Sequence, residues 1–211
     1  MIYLFDFDGT LVNSMPTFVS CMLRILDENG VSYPPDIVKT LTPLGLNGSA
    51  EHFIQVLGLK MAKSDLIDLI KAYMYDAYAH TIPAKANVIC VLQTLKAQGH
   101  SLNILTASPH ATLDVCLQRL GMWELFDNVW SCDDFATTKA DPNIYRQVAE
   151  KLNTTVENVL FLDDNLEADT VAKSAGMQVC GVYDDSSREY EAQIRAVTDH
   201  YIRDFSELLT L

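Results

Sequence analysis

Two aspartates near the start of the chain, Asp6 and Asp8, have the type and spacing that could perform chemistry. They follow an apolar run, residues 2–5, which is typical of a buried strand. Because side chains alternate along a strand, residues two apart point the same way, and both carboxylates gather at the strand end. Like charges held so close repel each other, and a hard divalent cation is the obvious group to offset them. An Asp pair at a strand end is also common on protein surfaces, and alone it is weak evidence of a site.

Hydroxyl, ammonium and carboxylate groups follow three further predicted strands. They are Thr106, Ala107 and Ser108 at the end of the second strand, Lys139 in the connection after the third, and Asp163 and Asp164 at the end of the fourth. In an open parallel sheet, ligands bind at the carboxyl ends of the strands. Each group has an ordinary alternative, such as a helix cap or a solvated lysine, but together they indicate one functional edge that also contains Asp6 and Asp8.

The order of the elements predicts how these groups are positioned. Strands are expected at residues 2–5, 101–106, 128–131, 158–163 and 178–183, with helices between the later ones. Alternation of strands and helices predicts a parallel sheet with right-handed crossovers, and the first strand must join it because a lone strand is not stable. Residues 15–81 show only helical spacing. The sequence therefore predicts an α/β fold with a helical insertion.

Composition and charge narrow the classes of partner. The 211 residues carry a formal net charge of -13, which argues against nucleic acid and anionic membranes as partners. No apolar run is long enough to span a bilayer, and we expect no secretory leader, because the charged Asp6 comes too early in the chain for one. The five cysteines are scattered without a CxxC pair, as expected of reduced thiols. We expect a cytoplasmic protein that is a monomer or a weak homodimer.

In this order, the motifs resemble those of the haloacid dehalogenase-like (HAD) hydrolase superfamily. The matching motifs are Asp6-Phe7-Asp8-Gly9-Thr10 for the first, Thr106 for the second, Lys139 for the third and Asp163-Asp164 for the fourth. The resemblance implies an α/β fold with a Rossmann-like, three-layer parallel-sheet core of residues 1–14 and 82–211. It also implies that residues 15–81 form an all-helical cap of the C1 type. The chain is similar to the phosphoglycolate phosphatase-like and β-phosphoglucomutase-like branch.

The resemblance also implies a role for each group. Asp6 would attack phosphorus to give an aspartyl phosphate, and Asp8 would serve as acid and then as base. Mg²⁺ would be held by Asp6, Asp164 and the backbone carbonyl of Asp8. The implied phosphate-binding residues are Gly9, Thr10, Thr106, Ala107, Ser108 and Lys139. The substrate would be a small phosphorylated metabolite.

Three departures from the family pattern leave alternatives open. Lys139 is followed by Ala and Asp before Pro142, where many relatives have proline directly after the lysine. Asp163 stands where glycine is frequent. The usual second acid falls on Ala168, with Asp169 one residue further on. Asp163 and Asp169 are therefore candidates for supporting the metal ligands or for replacing one of them.

The choice among activities depends on the first motif and on the helical insertion. Asp8 favours phosphoryl transfer, because the dehalogenase branch lacks this acid, and Thr10 is the residue of most phosphatases in the superfamily. Residues 42–49 are rich in turn formers and are expected to form a loop that contacts the leaving group and selects it. This loop has no basic residue, and Gly48 stands where sugar-phosphate mutases carry arginine. We therefore expect an Mg²⁺-dependent phosphomonoester phosphatase. The alternatives are a sugar-phosphate mutase and, from another class, a non-catalytic phospho-acceptor or metabolite-binding module.

Overall fold

The computed structural model describes residues 1–41 and 44–211, which divide into two compact units. The sheet unit comprises Met1–Ser14 and Ile82–Leu211, and the helical unit comprises Met15–Thr81. No helix among the described residues is both long and apolar enough to cross a bilayer. All five cysteines are free thiols.

Six parallel strands form the sheet. They are β1 (Ile2–Phe5), β2 (Ser101–Thr106), β3 (Asn128–Ser131), β4 (Val159–Asp163), β5 (Gln178–Val182) and β6 (His200–Ile202), in the spatial order β3-β2-β1-β4-β5-β6. The order reverses beside β1, because the chain adds β2 and β3 on one side and β4 to β6 on the other. All the carboxyl ends lie at one edge, and the ends of β1 and β4 flank the point of reversal, where ligands bind in open α/β sheets. The predicted fold class is confirmed.

The described residues contain nine α-helices, four in the helical unit and five in the sheet unit. The helical unit contains α1 (Met15–Glu28), α2 (Ile37–Leu41), α3 (Gly45–Gln55) and α4 (Lys63–His80), and the sheet unit contains α5 (Val88–Ala97), α6 (His110–Arg119), α7 (Pro142–Lys151), α8 (Leu166–Ala175) and α9 (Glu191–Val197). Each crossover between neighbouring parallel strands of the sheet unit contains helical structure, as such connections require.

Both faces of β1 are buried, which explains its continuous apolar sequence. Leu4 lies in a cluster that includes Phe161 of β4 and Tyr145 of α7. Phe5 faces the other way, with its ring centroid 6.2 Å from that of Phe126 and 6.1 Å from that of Phe205. This double burial fixes the position of β1, and therefore of the residues that follow it, on both sides of the sheet.

The helical unit has its own apolar core, and it corrects one prediction. Residues 45–49 belong to α3 and not to the expected loop, whereas residues 42 and 43 of that loop lie outside the described residues. Glycine disfavours a helix locally, but burial of Ser49 and Ala50 and packing of Leu46 against the core outweigh that preference. The predicted loop is therefore wrong over these five residues.

The turn after β1 is bound to the segment that precedes α5. The N–H of Asn13 donates to the carbonyl of Pro83 at 3.0 Å, and the N–H of Lys85 donates to the carbonyl of Leu11 at 2.9 Å. An isolated antiparallel bridge joins Val12 to Ala84 between them. These bonds hold the chain directly after the first motif against a segment 70 or more residues away in sequence.

Candidate active site

Asp6 occupies the centre of the functional edge. It continues β1 by one residue, and its N–H donates to the carbonyl of Leu162 in β4 at 2.8 Å. Its buried side chain accepts a hydrogen bond from Lys139 Nζ at 2.6 Å. Burial raises the pKa of Asp6 to about 7, with the Lys139 ammonium acting against this and the charge of Asp163 adding to it.

Lys139 lies in the turn directly before α7, and this turn directs its side chain towards the functional edge. Its ammonium also donates to Asp163 Oδ2 at 2.6 Å, so that it bridges two carboxylates. Asp141 is the N-cap of α7 and Pro142 its first residue, a combination that starts helices well. The Tyr145 hydroxyl lies 3.1 Å from the Lys139 carbonyl and fixes the lysine from the helix side. The unusual spacing between Lys139 and Pro142 is therefore accommodated by the cap of α7.

The ammonium state of Lys139 is strongly favoured. Burial alone would lower the pKa of Lys139, but the charges of Asp163 and Asp6 outweigh burial and hold it well above its usual range. A permanent positive charge therefore lies between the two carboxylates.

Asp164 lies against the first motif. Its Oδ1 accepts a hydrogen bond from the Thr10 hydroxyl at 2.9 Å. Gly9 has a φ of +78°, and a Cβ built there would lie 2.7 Å from Cγ of Asp164. Burial, followed by the charges of Asp163 and Asp6, raises the pKa of Asp164 well above its usual value. Both residues of the Gly9–Thr10 turn therefore contact the Asp164 carboxylate.

Asp6, Asp163 and Asp164 form a buried group that could hold a metal ion. One carboxylate oxygen from each lies within 4.8 Å of the others. Both oxygens of Asp163 already accept hydrogen bonds, one from Lys139 and one from the N–H of Asn165 at 2.8 Å. One ammonium does not balance three carboxylates, and an all-oxygen set is the kind that Mg²⁺ prefers. The residues present therefore fit this ion.

Asp169 lies behind that group and is not part of it. It is fully buried in α8, and neither carboxylate oxygen has a hydrogen-bond partner within the described part of the chain. Burial, then the charges of Asp163 and Asp164, raise the pKa of Asp169 well above its usual value, which favours the neutral acid. Of the two candidates left open by the sequence, only Asp163 is brought into the group.

Asp8 and the residues after β2 form the other side of the edge. The Ser108 hydroxyl donates to Asp8 Oδ2 at 2.5 Å, and the Ser108 N–H donates to Thr106 Oγ1 at 3.1 Å. Thr106 is buried, and Ala107 is exposed. A hydroxyl oxygen that accepts a hydrogen bond can still donate its own hydrogen, so Thr106 could donate to a ligand.

Comparison with known protein families matches residues 3–182 to the haloacid dehalogenase-like hydrolases. The chain belongs to this family. It is 28% identical over 190 residues to phosphoglycolate phosphatase from Psychrobacter arcticus, covering 86% of this chain and 82% of that protein. It is 27% identical over 180 residues to pyrophosphatase PpaX from Bacillus velezensis, covering 85% and 81%. Among solved structures, CbbY from Rhodobacter sphaeroides in complex with xylulose-(1,5)bisphosphate has a TM-score of 0.79 at 21% identity, covering 98% of this chain and 95% of that one. The predicted family is confirmed.

Two charged residues at the edge of this HAD hydrolase were missed by sequence reasoning. Lys85 and Asp184 form a largely buried ion pair beside the first motif, with Nζ and Oδ2 3.0 Å apart. The rule that acids at strand ends indicate a site would have found Asp184, which follows β5 by two residues. No pattern in the irregular segment around Lys85 indicates that its side chain reaches this edge.

Proposed function

We propose that this HAD hydrolase is an Mg²⁺-dependent phosphomonoester phosphatase that acts on small metabolites through an aspartyl phosphate on Asp6. The observation that carries the proposal is the Lys139 ammonium, which bridges Asp6 and Asp163 next to Asp164. This contact supports the proposal, because a positive charge beside the carboxylate of Asp6 is what a carboxylate nucleophile would need as it meets a phosphoryl group. The names of the two relatives described above, a phosphatase and a pyrophosphatase, support cleavage of a phosphorus–oxygen bond.

In the first step, Asp6 attacks phosphorus. Lys139 holds Oδ1, and the other oxygen forms the new bond to phosphorus as the bond to the leaving oxygen breaks. Asp8 gives its proton to that leaving oxygen, and the Ser108 hydroxyl orients its carboxyl group. Thr106 donates its hydroxyl hydrogen to a phosphoryl oxygen.

In the second step, Asp8 removes a proton from water. The resulting hydroxide forms a bond to phosphorus, the bond between phosphorus and Asp6 breaks, and phosphate leaves. Asp6 is again a carboxylate and Asp8 again an acid, which returns both groups to their starting states.

The metal ligands would be Asp6, Asp164 and the backbone carbonyl of Asp8. The bound cation supplies positive charge that offsets the clustered carboxylates and the phosphoryl oxygens. This chain's part is to hold Asp164 in place through Gly9 and Thr10.

We assign to the helical unit, residues 15–81, the role of a C1-type cap that selects the leaving group. The two curated relatives carry names with different substrates, phosphoglycolate and pyrophosphate. Because these two substrates differ, the names support only a broad substrate class, phosphorylated small molecules.

The test is hydrolysis of p-nitrophenyl phosphate by the full chain, with MgCl₂ and then with excess EDTA. The wild type should lose its activity in EDTA and regain it when Mg²⁺ is restored. Asp6→Asn should lose about 10³-fold or more in kcat because the nucleophile is gone. Asp36→Asn, which changes an exposed aspartate of the helical unit, is the control and should keep wild-type activity. Equal activity of the wild type and Asp6→Asn would overturn the proposal. A panel containing phosphoglycolate, sugar phosphates, nucleotides and pyrophosphate would then identify the substrate class.

A further inference from the structure

We propose that Lys85 is a positioning residue of this site, which holds the Gly9–Thr10 turn against Asp164 and thereby sets the affinity for the divalent cation. The inference rests on the proposed function, in which Asp164 is a metal ligand.

The Lys85 ammonium is held by three acceptors. Nζ donates to the carbonyl of Gly9 at 2.5 Å, to the carbonyl of Tyr183 at 2.6 Å and to Asp184 Oδ2 at 3.0 Å. An ammonium has three N–H groups, and these bonds use all of them. The side chains of Lys85 and Asp184 are only 19% and 6% exposed, so that water competes weakly for these bonds. Lys85 therefore ties the first motif firmly to the end of β5.

The other side of the same turn contacts Asp164. The Gly9 backbone leaves no room for a Cβ beside the Asp164 carboxylate, and the Thr10 hydroxyl donates to it. The peptide between Gly9 and Thr10 is planar. Holding the Gly9 carbonyl therefore also fixes the orientation of the Thr10 N–H and Cα. The position of Asp164 is thus set, through two residues, by Lys85.

Lys85 also compensates a buried charge. Asp184 caps the 3-10 turn after β5, where its Oδ1 accepts hydrogen bonds from the N–H and the hydroxyl of Ser186. Removal of Lys85 alone would leave the Asp184 carboxylate buried and unpaired, which is destabilising whatever happens to the Gly9 carbonyl. A positioning role must therefore be separated from simple charge compensation.

A double variant makes that separation. In Lys85→Met/Asp184→Asn both charges are absent, and any loss of stability caused by the unpaired carboxylate is relieved. If Lys85 only compensates Asp184, the double variant should regain both the melting temperature and the Mg²⁺ response of the wild type. If Lys85 positions the turn, the melting temperature should recover towards wild type while the Mg²⁺ response stays weak, because nothing holds the Gly9 carbonyl.

Two measurements are made on each full-length variant. The first is the melting temperature as a function of MgCl₂ concentration, which reports cation binding without turnover. The second is hydrolysis of p-nitrophenyl phosphate, which gives the Mg²⁺ concentration for half-maximal rate together with kcat and KM. For Lys85→Met and for the double variant, we expect the Mg²⁺ concentration that gives a half-maximal response to rise at least about tenfold. Loss of a residue that supports a metal ligand typically weakens metal affinity by this factor or more. KM at saturating Mg²⁺ should change much less.

Lys96→Met is the matched control. Lys96 pairs with Asp127, whose other oxygen accepts the N–H of Leu102 near the start of β2, at the opposite edge of the sheet. This variant should keep the wild-type Mg²⁺ response by both measurements.

The outcomes are distinct. A wild-type Mg²⁺ response in the double variant overturns the inference, and the double variant decides the matter if Lys85→Met alone does not fold. If the wild type does not hydrolyse phosphate esters, the proposed function fails, but the melting measurements still test whether Lys85 supports cation binding.

Discussion

Replacement of Gly9 by alanine tests how closely the first motif and Asp164 are packed. Gly9 has a φ of +78°, a conformation that costs an L-residue about 1–2 kcal/mol. An added Cβ would lie 2.7 Å from both Cγ and Oδ1 of Asp164, far inside van der Waals contact. The carboxylate cannot swing away freely, because it is buried and bonded to the Thr10 hydroxyl. The substitution must therefore displace either the turn or the proposed metal ligand.

Gly99→Ala is the matched control for this change. Gly99 lies in the same unit with a φ of +81°, and an added Cβ there would meet nothing within 4 Å. The free energy of unfolding of Gly99→Ala should fall only by about 1–2 kcal/mol, which is the cost of a positive φ for alanine. Gly9→Ala should lose the same amount and, in addition, about 1–3 kcal/mol for disrupting the buried bond between Thr10 and Asp164.

Urea denaturation and phosphatase kinetics measure the two consequences. Gly9→Ala should be less stable than Gly99→Ala, and at fixed Mg²⁺ it should lose about 10²-fold in kcat/KM, since a ligand is moved. Gly99→Ala should keep wild-type kinetics. Equal free energies of unfolding for the two variants, with normal turnover by Gly9→Ala, would refute the reasoning. This result would show that the Asp164 carboxylate can move away from the added Cβ with no loss of stability or activity.

Three further predictions follow from the site and its surroundings. Lys139→Met should lower kcat about 10²–10³-fold in initial-rate measurements, because no positive charge then lies between Asp6 and Asp163; an unchanged kcat would contradict this. Tyr145→Phe should lose about 1 kcal/mol of stability in urea, because the carbonyl of Lys139 loses its donor; unchanged stability would contradict this. Hydrogen bonds to Asp114 and Asp134 raise the pKa of His110, and the stability that they add is present below about pH 6.5 and lost as pH rises through the raised value. The difference in melting temperature between wild type and His110→Gln should therefore be larger near pH 6 than near pH 9.

Local patterns along the sequence were sufficient to predict the elements and the family. The strand at residues 101–106 was predicted with its observed bounds, and the described residues of the segment 15–81 contain helices and no strand, as their spacing indicated. These features are local, because the face on which a side chain lies depends on its neighbours in sequence. The rule that ligands bind at the carboxyl ends of parallel strands then placed Asp6, Lys139 and Asp164 at one edge.

Local preference failed where packing opposed it. Gly45 and Gly48 indicated a loop, yet residues 45–49 are helical because the helical unit buries their neighbours. The sequence could not rank Asp163 and Asp169 either. Asp163 is the last residue of β4 and Asp169 lies in the next helix, α8, whose packing leaves Asp169 outside the group that Asp163 joins.

The types of the reacting groups, their order and their common edge were thus determined by the sequence alone. Only the tertiary structure decided their partners: that Lys139 bridges Asp6 and Asp163, that Thr10 bonds to Asp164, and that Lys85 holds the Gly9 carbonyl. Lys85 lies 76 residues from Gly9 and 99 from Asp184, and no periodicity spans such distances. Contacts of this kind arise when packed elements bring buried charges together, because each charge must then find a partner in the space that the fold leaves.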